Sequence, residues 1–409
     1  MAWRLGRGLG LSKGRSFAPL SFILGCPNPN FSTETSSILP LFNCKRRKKL
    51  RRKLSSPRVK PIATSTPRPL PAFEALLHWD SQFRFLSRTR SFLSRQPSHI
   101  LSLSAAGKLY RELGFPRGRK PSKFAARHPL LLQILPNPPP YGPLQLSFTP
   151  LMESLLLDEQ SIFNSTESQR VTAVRKLLMI SCRRRIPLAK LHHCRHVLGL
   201  PDDFRDRVHK YPDFFRVVVD PDGRHVLELA EWDPALAVSA LERDFIADEH
   251  RVRRTFKFSI PHGKALDLDE DDERRMNSVL TLPLISPYTD GSELKPWTVE
   301  AEKYRVGVIH EFLSLTLEKM AYIHHIVEFK EEFGLTRHSY HMLLKQPRAF
   351  YLAGTEMNWA VFLRDAYRED GTLIQKDPLV LLEEKIRKYA LMKEGEEVDE
   401  RIDGGAVCG

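Results

Sequence analysis

Two groups of basic residues carry the side chains best suited to chemistry in this sequence, because Lys and Arg neutralise phosphates and release their counterions. One group lies between residues 117 and 127 and the other between residues 175 and 190. Few acidic residues interrupt them, which favours phosphate contact over a merely solvated face. The predicted contacts are Arg117, Arg119, Lys120, Lys123, Arg127, Arg175, Lys176, Arg183, Arg184, Arg185 and Lys190.

Patterns typical of enzymes are weak. Gly10-Leu11-Ser12-Lys13-Gly14 matches G-x-S-x-G, but no strand precedes it to build a nucleophile elbow. The acidic run 267–273 lacks the spacing of a calcium loop. We therefore expect no catalytic residues, no metal and no cofactor, and an RNA-processing hydrolase is the least supported interpretation. Residues that could suggest a metal, but fit core and surface positions better, are Cys182, His192, His193, Cys194 and His196.

The formal net charge of +14 in 409 residues is unevenly distributed. Residues 74–200 carry +12 and residues 201–409 carry −12, so the remaining positive charge lies before residue 74. This asymmetry predicts an oriented face for a polyanion on the first half of the folded region. Five cysteines without a C-x-x-C pair argue against a disulfide scaffold. No apolar run is long enough to predict a membrane span.

The N-terminal segment has the composition of an organelle transit peptide, because residues 1–31 contain four basic residues and no acidic one. Asn30-Phe31-Ser32-Thr33 resembles a processing context of plant mitochondrial presequences. We therefore predict the mitochondrion as the location, with the chloroplast as the alternative. Residues 32–74 are expected to form a basic, Pro- and Ser-rich disordered linker, and residues 393–409 a disordered tail.

A pattern of two helices and a hairpin recurs three times in the folded region. Its second copy places Leu188, Leu191 and Leu198 on one helix face. Gly199 follows, where a helix commonly ends in the left-handed conformation. Asp220-Pro221-Asp222-Gly223 predicts the turn of the hairpin.

A helix with proline at its first position is expected after each hairpin, at Pro150, Pro234 and Pro378. The pattern predicts an α+β fold, predominantly helical, built from three tandem helix-helix-hairpin units of winged-helix-like order. The units span about residues 75–165, 166–250 and 300–392, and an acidic insertion occupies residues 250–300.

Several long stretches carry a resemblance to a known family: residues 175–179, 186–191, 231–237, 285–288, 310–319 and 376–379. In them the chain resembles the plant organelle RNA recognition (PORR) domain family, in particular mitochondrial members of the "what's this factor" type. The resemblance covers nearly the whole chain beyond the presequence. It implies a PORR RNA-binding domain over residues 75–392 that binds organellar RNA, mostly group II introns, and promotes splicing without being an enzyme.

A second interpretation remains open on the sequence. Winged-helix-like units also occur in DNA-binding proteins, so an organellar DNA-binding or transcription-related protein is the alternative. The expected partner is single-stranded or structured organellar RNA, with room for other splicing factors, and the oligomeric state is left open.

Overall fold

The computed structural model describes residues 70–247 and 285–392, together with the single positions 270 and 274. Short gaps lie at 116–117, 119, 137–143, 296–297, 337–338, 347–348, 356–357 and 369. The predicted transit peptide, nearly all of the linker, most of the acidic insertion, the tail, Arg117 and Arg119 lie outside the described residues.

Unit one contains a long first helix and a three-stranded antiparallel sheet with β3 at its centre. Thr149 and Pro150 begin its last helix as predicted, because the Thr149 side chain accepts a hydrogen bond from the backbone N–H of Met152. Its elements are α1 (Pro71–Leu93), β1 (Ile100–Ser102), α2 (Leu103–Lys108), α3 (Pro121–Ala125), β2 (Leu132–Leu135), β3 (Gln145–Phe148) and α4 (Pro150–Ser165).

Unit two repeats this order, with β6 between β4 and β5. The helix expected at Pro234 is absent, and residues 234–236 form a turn. The last helix begins after Ser239, because Ser239 and Glu242 form a reciprocal capping box. The elements are α5 (Glu167–Met179), β4 (Arg185–Pro187), α6 (Leu188–His193), α7 (Arg195–Leu198), α8 (Phe204–Arg207), β5 (Phe215–Val219), β6 (His225–Leu229) and α9 (Ala240–Ala247).

Unit three has the same topology, with β9 between β7 and β8. Asp377 caps the final helix, which has Pro378 at its first position as predicted. The α+β class is thereby confirmed, whereas the short first strand of each sheet was not predicted. The elements are α10 (Val299–Leu315), β7 (Met320–Tyr322), α11 (Ile323–Glu328), α12 (Ser339–Leu344), β8 (Phe350–Ala353), β9 (Ala360–Leu363) and α13 (Pro378–Leu391).

The buried apolar residues join the three units. One cluster contains residues of both unit two and unit three, including Leu177 and Phe312. A second cluster fills unit one and takes in Leu382 and Ile386 of α13. A third places Phe73 of α1 against the sheet of unit three. Helix α1 therefore begins at Pro71, within the segment expected to be linker, because its first turn has an apolar surface to cover.

Gly199 ends α7 in the predicted left-handed conformation, with φ of +67°, at a close approach between units two and three. A Cβ atom there would lie 2.7 Å from Cδ2 of Leu317 and 3.0 Å from Cζ of Arg170. The backbone N–H of Leu317 also donates to the carbonyl of Val197 at 2.9 Å. Gly223 has a similar φ of +76°, but nothing lies within 4 Å of its added Cβ.

These two glycines provide a matched test of the packing between units two and three. Gly223→Ala should lower the free energy of unfolding by about 1–2 kcal/mol, the cost of a left-handed non-glycine residue. Gly199→Ala should lower it by about 1–3 kcal/mol more, because the methyl group is also overpacked. Urea unfolding followed by circular dichroism measures both losses, and equal losses would contradict the close approach.

Candidate nucleic-acid interface

Lys176 is buried, with 7% of its surface exposed, and it is fully engaged inside the protein. Its Nζ donates to Oε1 of Glu311 at 2.9 Å and to the carbonyl of Val238 at 3.0 Å. Glu311 is 0% exposed and also accepts from the Tyr288 hydroxyl at 2.7 Å and the Ala240 backbone N–H at 2.6 Å. Lys176 is therefore not positioned to bind a phosphate.

The pKa of Glu311 reflects this network. Burial alone raises the pKa of the carboxyl, but the charge of Lys176 and the hydrogen bonds from Ala240, Lys176 and Tyr288 outweigh it, so the net shift is downward. Glu311 is thus held as a carboxylate. Its stabilising contribution is present above the unfolded-state pKa and is lost as the pH falls through the lowered folded-state value.

Three more of the predicted phosphate contacts are paired with carboxylates: Arg175–Asp233 at 3.2 Å, Arg185–Glu228 at 3.1 Å and Lys190–Glu332 at 2.7 Å. The Arg175 guanidinium also lies 4.1 Å from the centroid of the Phe214 ring. These side chains have structural partners, so the interface proposed below leaves them out together with Lys176.

The same kind of pairing recurs along the first half of the folded region, and in several pairs the acid comes from the second half. Further pairs are Arg90–Glu383, Arg95–Asp202 at 2.5 Å, Arg170–Asp377 at 2.7 Å and Arg195–Asp202 at 2.6 Å. Much of the charge asymmetry seen in the sequence is therefore satisfied within the molecule.

Three of the predicted phosphate contacts stay exposed in unit one. Lys120, Lys123 and Arg127 follow one another at intervals of three and four residues around α3, and all are exposed. Arg88 on α1 is also exposed. The ion pairs found in the described part of the chain include none of these four residues, and we call them the unit-one basic surface.

Two of the predicted contacts in unit two, Arg183 and Arg184, are exposed. Arg183 is exposed and takes part in none of the ion pairs of the described residues. The Arg184 guanidinium lies 4.7 Å from the centroid of the Trp232 ring, and φ at Arg184 is +54°. They form a second, smaller candidate surface.

A cleft of about 450 Å³ adjoins the unit-one basic surface. Arg84 and Arg88, one helical turn apart on α1, line one part of it, and Arg127 and His128 line another. Sequence analysis missed both α1 arginines, although their i,i+4 spacing on an amphipathic helix could have indicated that they share a face.

Cys182 and Cys194 occupy separate environments, whereas His193 and His196 both lie near the His325 ring, at 6.1 and 5.1 Å between ring centroids. Cys194 is 0% exposed within the core, and burial raises the pKa of its thiol to about 12. Cys182 lies at the surface, where its sulfur would be 3.2 Å from a Cβ added to Gly334. Across the described residues, no three His, Cys, Asp or Glu side chains are grouped as a metal site.

A helix that crosses a bilayer has to be about 20 residues long and predominantly apolar. None of the helices in the described part of the chain is both long enough and apolar enough to do so.

The fold and this surface define a class of protein: an array of three similar α+β units with an unpaired basic surface on the first. Residues 70–397 match the family model described as the plant organelle RNA recognition domain (PORR), and the chain belongs to this family. No solved structure matches it significantly.

Curated relatives include Protein WHAT'S THIS FACTOR 1, chloroplastic, of Zea mays, which is 38% identical over 77% of this chain and 64% of its own length. The Arabidopsis thaliana homologue, also chloroplastic, is 37% identical over 82% of this chain and 67% of its own. Protein WHAT'S THIS FACTOR 9, mitochondrial, of Arabidopsis thaliana is 25% identical over 80% and 84%. The chain thus spans about two thirds of the length of the first two relatives.

The distinction between paired and unpaired lysines can be tested by stability. Lys176→Met should lower the free energy of unfolding by about 3–5 kcal/mol, because it leaves the Glu311 carboxylate buried without its counter-charge. Lys123→Met removes the same charge from the surface and should change stability by no more than about 0.5 kcal/mol. Chemical denaturation measures both, and similar effects for the two variants would contradict the assignment.

Proposed function

We propose that this protein is a non-enzymatic RNA-binding factor of a plant organelle that binds group II introns and promotes their splicing. The observation that carries the proposal is the unit-one basic surface, whose cations are exposed while other predicted contacts, such as Lys176 and Lys190, are engaged in internal ion pairs. Membership of the PORR family supports RNA as the polyanion.

The mechanism follows from the location of the unpaired charges. Lys120, Lys123, Arg127 and Arg88 neutralise backbone phosphates and release counterions, which supplies sequence-independent affinity. Holding an intron segment on a rigid array stabilises one RNA conformation, and the transesterification chemistry is left to the RNA. Arg183 and Arg184 extend the contact to unit two when the bound segment is long enough.

Duplex DNA is the alternative ligand, because the winged-helix-like units predicted from the sequence also occur in DNA-binding proteins. The helix preceding each hairpin is short, however: α3 has five residues, α8 four and α12 six. At 1.5 Å per residue the three α-helices are about 6–9 Å long, and a 3₁₀ turn over Val208–Lys210 extends α8. Helices of about two turns or fewer offer few side chains to the base edges of a major groove. Such short helices favour contact with single strands or RNA over reading of a DNA groove.

RNA affinity and its salt dependence test the basic surface. We expect the full chain to bind single-stranded intron RNA more tightly than duplex DNA of the same sequence. In Lys120→Gln/Lys123→Gln the slope of log K against log salt concentration should fall by about 1.4, since each single-strand phosphate contact contributes about 0.7. Fluorescence anisotropy titrations at salt concentrations from about 50 to 300 mM yield the slopes.

Arg183→Gln/Arg184→Gln, measured in the same way, reports whether unit two takes part. Equal or tighter binding to duplex DNA by the unsubstituted protein would favour the DNA-binding alternative instead. If the salt slope of Lys120→Gln/Lys123→Gln equals that of the unsubstituted protein, these two lysines do not contact RNA and the interface lies elsewhere.

For the location we propose a plant organelle. The processing context at Asn30–Thr33 supports the mitochondrion, as does the mitochondrial relative. The chloroplastic names of the relatives at 37% and 38% identity support the chloroplast instead. The mitochondrial prediction is kept, with the chloroplast as its direct competitor.

Import into isolated organelles separates these locations. The radiolabelled full chain, offered to purified plant mitochondria and chloroplasts, should become protease-protected and shortened in mitochondria, because its acid-free N-terminus has mitochondrial presequence character. Protection confined to chloroplasts would replace the mitochondrial prediction, and a chain lacking residues 1–31 is the control that should remain outside both.

A further inference from the structure

The cleft beside α3 brings together cationic, apolar and hydrogen-bonding groups in one concave site. Its volume of about 450 Å³ falls in the range of small-ligand sites. Arg84, Arg88 and Arg127 supply positive charge, whereas Phe83, Phe124 and His128 line it with rings. None of the described residues that line it is acidic.

The three arginines are not equivalent. Nη2 of Arg84 donates hydrogen bonds to Oδ2 of Asp80 and to the Tyr322 hydroxyl, each at 3.1 Å. The Asp80 carboxylate therefore already balances much of the Arg84 charge. Arg88 and Arg127 are exposed and belong to no ion pair of the described residues. Two guanidinium groups with spare donors therefore face a site without a counter-ion, which suits a phosphodiester.

The shape of the cleft depends on Gly114. Its φ is +73°, and a Cβ atom would lie 3.0 Å from both the Arg88 Cδ and the Phe85 Cα. The turn after α2 can therefore approach α1 closely, with the Arg88 side chain running past it. The apolar part is firmly packed, with the Phe85 and Phe124 ring centroids 4.4 Å apart.

His128 adds a hydrogen-bond acceptor to this cationic site. Its Nδ1 lies 2.9 Å from the backbone carbonyl of Ala390, and because a carbonyl can only accept, Nδ1 carries the hydrogen. Burial lowers the pKa of His128, and the neighbouring charge of Arg127 acts in the same direction. The ring is therefore neutral at neutral pH and its Nε2 is left as an acceptor.

We propose that this cleft holds one nucleotide of a single-stranded RNA, with its phosphate neutralised by Arg88 and Arg127 and its 2′-hydroxyl donating to Nε2 of His128. The inference rests on the RNA binding proposed above and deepens it, because the 2′-hydroxyl is the group by which a protein distinguishes RNA from DNA. The cleft then supplies chemical selectivity, while Lys120 and Lys123 supply unselective attraction.

The test compares three fluorescent single strands of one sequence, made of RNA, DNA and 2′-O-methyl RNA, in anisotropy titrations of the full chain. The 2′-O-methyl group removes the donor. The unsubstituted protein should bind RNA about fivefold or more tightly than either of the other strands, the effect of one hydrogen bond to a neutral acceptor.

Variants assign this selectivity to the cleft. Arg88→Gln/Arg127→Gln should weaken RNA binding about tenfold and lower the salt slope by about 1.4. The control Arg368→Gln/Lys385→Gln removes equal charge from two exposed residues that do not line the cleft and should leave binding unchanged. His128→Phe should abolish the preference for RNA over DNA, and His128→Gln, whose amide can both donate and accept, should restore part of it.

Each result decides between supporting and overturning the assignment. Thermal unfolding of every variant checks that it is folded. If His128→Phe is less stable, the ratio of its affinities for RNA and DNA still reports on selectivity, because both are measured on the same variant. Normal RNA binding by the unsubstituted protein with no effect of the cleft variants would overturn the cleft but not the proposed function. No RNA binding at all would overturn both. Competition by inorganic phosphate as effective as by AMP would indicate a phosphate site and overturn the nucleotide assignment.

Discussion

The buried carboxylate of Glu311 is the contact on which the arrangement of units two and three depends. An unpaired carboxylate in that position would lower the free energy of unfolding by roughly several kcal/mol, even after relaxation of the surroundings. It is accommodated because Lys176, Tyr288 and Ala240 donate to it from three separate parts of the chain. All three donors must be in place together, so the network fixes α5, the start of α9 and the segment at Tyr288 against α10.

The same requirement explains the distribution of charge. The basic first half of the folded region and the acidic second half meet across contacts such as Arg170–Asp377 and Lys190–Glu332. The charge asymmetry, which in the sequence indicates a binding face for a polyanion, is therefore in large part accounted for by ion pairs between the units. Among the predicted contacts, the cations that remain exposed and outside the ion pairs of the described residues lie chiefly on unit one, which shares its core with α13 of unit three.

The signals readable from sequence were those set by neighbouring residues. Gly199, Thr149 with Pro150 and Asp377 with Pro378 mark helix ends through local backbone chemistry, and the structure has each of them. The three-residue strands before each hairpin are too short for an alternating pattern to be visible. The partners of Lys176 and Lys190 lie 135 and 142 residues away in sequence, so pairing could not be distinguished from exposure. The α1 arginines were overlooked because nothing local indicates that α1 packs beside α3.

Ultraviolet cross-linking of bound intron RNA, followed by mass spectrometry of the modified peptides, would locate the RNA on the protein. If RNA contacts the unpaired cations of unit one while the ion-paired cations only support the fold, cross-links should lie in α1 near Arg88 and in the peptide from Lys120 to His128, with further ones near Arg183 on long RNA. Cross-links concentrated on unit three, with unit one unmodified, would show that the RNA binds elsewhere.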